Sequence, residues 1–227
     1  MTFKHFITEL NGNRVEGELI KSIFYSLLVS FLFLGILYFF KFRYIPGFID
    51  KYGFYLFFAS LSYAVLLPTV RQVRAYNQFS CMSGMMIGMT IGMIAGFVAG
   101  FYIGATNGML MGSIFGSIIG ILLGIWLGSK CGIMGFMEGI MAGFMGGLMG
   151  AMTSVMMLND NLRLATIFIF VISSIIMIGL NYMIYAETKE SNREKSEDYL
   201  NIIMISFALI ALTTWIMLFG YRSLIFA

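Results

Sequence analysis

From Gly84 to Gly132 a glycine falls at every fourth residue, thirteen in succession. After a one-residue slip the pattern resumes at Gly135, Gly139, Gly143 and Gly147, with Gly146 and Gly150 added. A soluble helix does not tolerate such a run, because each interior Gly costs about 0.8–1 kcal/mol relative to Ala. In a bilayer the same residues let helix backbones approach closely, which is the packing logic of GxxxG motifs. The array also cannot be one helix. Residues 84–132 would extend about 74 Å at 1.5 Å per residue, whereas the hydrocarbon core is about 30 Å thick. The chain must double back, and Gly104-Ala-Thr-Asn107-Gly108, with its Asn-Gly turn signal, is the natural place.

The rest of the composition agrees. The chain is 59% hydrophobic and 11% charged over 227 residues, against about 25% charged in soluble domains. The fold class read from this is all-α, a polytopic transmembrane bundle in the cell membrane with the lipid bilayer as its main partner. Seven spans are expected: 20–40, 52–70, 81–104, 109–127, 132–157, 164–186 and 200–219. Residues 20–227 form one membrane domain. Within it a Gly/Met core covers 81–157, flanked by helices over 20–70 and 164–219, with one densely charged loop at 187–199. The lead-in 1–19 is too polar for a cleavable signal. Its Phe3, Phe6, Ile7 and Leu10 share a helical face, so it either lies along the membrane surface or frays. The second span is read as ending at Val70, with Pro68 in its last turn and Arg71 outside it.

Lys and Arg divide nine to five between the two sides, which favours a cytoplasmic N-terminus and an outside C-terminus. The basic residues are scattered among loops, so nucleic acid is excluded as a partner. No nucleophile–base set, phosphate loop, zinc spacing or nicotinamide fingerprint is present, and the chain reads as no enzyme. Tyr38, Tyr52, Tyr102, Trp126 and Tyr185 suit an interfacial belt. Asn107 is turn chemistry, and Thr90, Ser113 and Ser117 are small interhelical contacts. His5 lies outside the membrane.

The central third holds 15 of the 20 methionines. In the fifth span Met134, Met137, Met141, Met145, Met149, Met152 and Met156 fall on one helical stripe, opposite the glycines. Cys131 and Glu138 share that stripe. In the third span Met82, Met85, Met86, Met89 and Met93 hold one side, with Cys81 at its start. Both spans enter from the same face, so the two cysteines belong to one side, cytoplasmic and reduced. Soft thioether and thiolate ligands select soft ions, above all Cu(I). An MxxxM spacing puts two sulfurs one turn apart on one face, and a ladder of weak sites is what conduction needs. The candidate metal ligands are therefore Cys81, Met85, Met89, Cys131, Met134, Met137, Met141 and Met145. Glu138, an acid inside the array, is an accessory charge that Lys130 could pair. A cytoplasmic metal donor or acceptor would complete such a system, and a second copy or another membrane subunit could share the face. The competing reading is structural or pore-forming: a glycine-zipper protein whose methionines only fill gaps.

At Met82-x3-Met86, Met85-x3-Met89 and the GxxxG array the chain resembles the eukaryotic high-affinity copper transporters, which set an MxxxM helix beside a GxxxG helix in a trimeric pore. That resemblance implies Cu(I) handling. It is one of motif style, since those proteins have three spans, a methionine-rich exterior tail and a Cys/His motif that this chain lacks. Residues 81–157 also resemble an uncharacterised Gly/Met-rich membrane segment of prokaryotic, especially archaeal, proteins. Period-four glycine alone resembles glycine-zipper pores and anchors.

Overall fold

A computed structural model describes residues 15–40, 48–76, 79–187 and 199–222. The lead-in 1–14, His5 included, and nearly all of the charged loop lie outside the described residues. Among the described residues, seven helices are long and apolar enough to cross a membrane: α1 Val15–Phe40, α2 Phe54–Ala75, α3 Cys81–Asn107, α4 Met109–Gly128, α5 Gly132–Met156, α6 Leu162–Glu187 and α7 Tyr199–Phe219. A wide helical turn, Ile49–Gly53, leads into α2. The protein is an all-helical, multi-pass membrane bundle. Odd-numbered helices run one way and even-numbered helices return, so the bundle has an end near Lys130 and an end near Asn107.

The centre is a three-helix core of α3, α4 and α5 held backbone to backbone. Gly88 stands against Gly128 and Gly135, Gly92 against Gly124 and Gly139, Gly96 against Gly116 and Gly143, and Gly100 against Gly112 and Gly147. A Cβ placed on Gly96 would lie 2.8 Å from the Gly143 carbonyl oxygen, and one on Gly92 would lie 2.9 Å from that of Gly139. No side chain fits there. The hydrogen that occupies this direction instead points at a partner carbonyl, the arrangement of a Cα–H···O contact worth about 0.5–1 kcal/mol. Repeated along three helices, these contacts replace the side-chain interlock of an ordinary bundle.

The slip in the glycine period now has a geometric meaning. Successive α3 glycines meet α5 glycines at a constant offset, one residue short of a multiple of four. The lost residue sets the register of the parallel pair α3/α5. The two turns of the core are glycines as well. Gly108 (φ 109°) and Gly132 (φ 86°) are the positive-φ residues among those described, a backbone region costly for any residue with a Cβ.

Three expectations are corrected. α2 does not stop at Val70 but runs on to Ala75, with Pro68 inside the helix and Arg71 and Gln72 buried. Tyr102 is no interfacial residue, being fully buried with its hydroxyl 2.8 Å from Ser62 Oγ across α2/α3. Tyr52 and Tyr185 are buried too. Ser117 does reach across a helix interface, donating to the Phe144 carbonyl at 3.3 Å, whereas Ser113 bonds back to Met109 of its own helix. Asn107 does more than turn the chain: its Nδ2 donates to the Ile216 carbonyl at 2.9 Å and fastens α3 to α7.

Glycine packing predicts a sharp positional contrast. Gly96→Ala or Gly143→Ala should destabilise the protein by about 1–3 kcal/mol, the usual cost of overpacking. Gly35→Ala and Gly179→Ala, where a Cβ meets nothing within 4 Å, should be neutral or stabilising by up to about 1 kcal/mol. Thermal unfolding in detergent would read both.

Candidate functional site

The two faces of α5 have opposite surroundings. Gly135, Gly139, Gly143, Gly146, Gly147 and Gly150 are buried against α3 and α4. The methionines stand on the outer surface, with Met137 52% exposed, Met141 62% and Met145 53%, against 1% for the core residue Met177. Met134, Met149, Met152 and Met156 are exposed with them, as are Met86 and Met89 of α3. Met85 is half-buried. The thioethers are therefore not the lining of the core. At backbone contact the core also leaves no lumen between α3, α4 and α5. Any chemistry of these sulfurs takes place on the outside of the single chain.

The other predicted site residues fall as follows. Cys81 opens α3 and Cys131 closes a short turn between α4 and α5; their side chains lie outside what the structure describes. Glu138 is half-buried on the methionine side of α5, and no hydrogen bond or ion pair reaches it among the described residues. Lys130 is engaged elsewhere. Its ammonium donates to the carbonyls of Val73 at 3.3 Å, Arg74 at 3.0 Å and Tyr76 at 3.2 Å, capping α2. This contact explains how α2 runs past Val70, since a buried helix end needs partners for its last carbonyls. No group of three or more His, Cys, Asp or Glu side chains that could hold a metal occurs among the described residues.

What sequence reasoning missed is a polar hub at the Lys130 end. Arg71, buried in α2, donates from Nη1 to Ser22 Oγ of α1 at 3.1 Å. Gln72 Nε2 donates to the Asn181 carbonyl of α6 at 3.3 Å. The Arg74 guanidinium lies over the Trp126 ring of α4, 4.9 Å from its centroid, and Ser80 at the start of α3 donates to Glu187 at the end of α6. Three helices, α1, α4 and α6, meet α2 there, and α3 joins through Ser80 and Glu187. The signals were available: Ser60, Ser62, Thr69, Arg71 and Gln72 crowd one span, and Ser22, Ser26 and Ser30 recur once per turn on α1, all buried.

Comparisons with protein-family profiles, curated proteins and solved structures return no match.

Lys130→Ala would leave the three α2 carbonyls without their ammonium. A loss of about 0.5–1.5 kcal/mol is expected, the net worth of a hydrogen bond at a partly exposed helix end, with Lys130→Arg losing less. Chemical unfolding in detergent would check it.

Proposed function

We propose that this integral membrane protein is a structural component of its membrane. Its rigid glycine-packed core carries an adaptable thioether face to be met by another membrane helix, first of all that of a second copy of the chain. One observation carries this reading: on α5 glycine faces in and methionine faces out. The other outward surfaces are built differently. α4 exposes Leu110, Ile114, Ile118 and Leu122, and α6 exposes Phe168, Val171, Ile172 and Ile175. Among the described residues, only α5 and the first half of α3 expose rows of methionine. Methionine is the residue of surfaces that must fit an irregular partner. Around it, the chain keeps the expected cell-membrane setting, with a cytoplasmic N-terminus and no enzymatic role.

A second reading has its own support. Exposed thioethers at one-turn spacing, Met137, Met141 and Met145, with Glu138 beside them and no partner for it among the described residues, are a donor set for a soft ion, Cu(I) first. Met134 of α5, Met85 and Met89 of α3, and Cys81 and Cys131 would extend it. Binding or passage of the ion would then run along the outer face, completed by a second copy or a cytoplasmic metal donor.

Loading the reduced protein with Cu(I) under anaerobic conditions, followed by desalting, separates the two. The structural reading expects negligible copper per chain, both in the wild type and in Met137→Leu/Met141→Leu/Met145→Leu, and an intact fold in each. Near-stoichiometric copper that the triple variant loses would establish the metal reading. Oxidative cross-linking of Met141→Cys completes the test, since intermolecular disulfides are expected if copies meet at α5.

A further inference from the structure

A cavity of about 320 Å³ opens between α3, α5 and α6 towards the Asn107 end of the bundle. Met93 and Phe97 of α3, Thr153 of α5, Met157 just beyond it, and Phe168 and Ile172 of α6 form its walls. We propose that this groove is a binding site for the acyl chain of a membrane lipid. It is separate from the methionine–copper reading and does not depend on it.

Its chemistry excludes polar occupants. Two hydroxyls stand in the wall, and both are already used by their own helices: Thr153 Oγ1 donates to the Met149 carbonyl at 2.7 Å and Ser173 Oγ to the Phe170 carbonyl at 3.0 Å. A water molecule needs two to four polar partners to settle in a cavity, and this wall has no hydroxyl hydrogen left to give. The remaining surface is thioether, aliphatic and aromatic.

Its size argues against a helix. An α-helix with side chains is about 10–12 Å across, so a slot of this volume between three helices of one chain admits side chains at most. A methylene occupies about as much room as a water molecule, roughly 30 Å³, and the groove holds on the order of ten of them. Its position supplies the ligand. All of the wall residues belong to membrane-spanning helices or the turn that follows α5, so the groove opens on lipid. The middle of α4, a single helix exposing Leu110, Ile114, Ile118 and Leu122, gives a built-in comparison.

The full chain, reconstituted in phosphatidylcholine vesicles doped with a phospholipid that carries a diazirine in its acyl chain, provides the test. After illumination, adducts mapped by mass spectrometry should concentrate on Met157, Phe168 and Ile172, at least about fivefold above Ile114 and Ile118 of α4. The paired variant Ala165→Phe/Ile169→Phe, which fills the groove, should abolish the excess while labelling at α4 stays at its wild-type level. Adducts spread evenly around the protein would overturn the proposal, as would an excess that survives the filling variant.

Discussion

Everything in this molecule rests on three helices touching through their backbones. Side-chain packing normally keeps helix axes 8–10 Å apart, and it allows registers to vary with whichever knobs meet. Glycine removes that buffer. Gly88, Gly92, Gly96 and Gly100 each face a carbonyl of α5, and a displacement by one residue would put a side chain such as Ile87 or Phe101 where only a hydrogen fits. Packing this close is rewarded in lipid, where dispersion and weak Cα–H···O contacts must do what the hydrophobic effect does in water.

A second consequence concerns what is left for the other residues to do. With glycine occupying the contact faces, many large apolar groups point outward on α4 and α5, and bulk is buried beside the glycine seams, at Phe101, Tyr102 and Ile103 of α3 and at Phe115, Ile119, Leu123 and Leu127 of α4. Polarity collects elsewhere, along α2. That helix binds α1 through Arg71 and Ser22, α3 through Ser62 and Tyr102, and α6 through Gln72, and it is capped by Lys130 from the core. The protein thus divides its work: a core packed mainly through glycine, with a few small hydroxyls such as Ser117 and Ser154, and a neighbouring helix that carries hydrogen bonds between layers.

How much of this was legible depends on the range of the physics. Span number, the fold-back at Gly108 and the opposition of glycine and methionine on α5 follow from periods of a few residues, and they are readable from the chain itself. The end of α2 was not. Arg71 looks like a boundary until Ser22, 49 positions away, is brought beside it, and the cap comes from Lys130, further off still. Tyr102 looks interfacial from its place near a span end, because its partner Ser62 is known only once α2 packs on α3. The thioether faces could be drawn on a wheel, but which way they point was decided by α4, whose glycines take the inner side. The side chains of Cys81 and Cys131 stay outside the described residues, and so the ends of the metal-ligand set are judged by sequence alone.

Glycine-to-glycine contact between helices is the central claim, and solid-state NMR of protein labelled with ¹³C in glycine alone measures it most directly, in lipid bilayers and without mutation. Within one helix the period-four glycines are a full turn apart and only Gly146 and Gly147 are adjacent, so a correlation between glycines of different helices is assigned by its residue pair and reports their contact. The account predicts such correlations linking Gly92 and Gly124 with Gly139, and Gly120 with Gly143. A spectrum that holds only correlations within single helices would contradict it, and the core would have to be rebuilt around side chains.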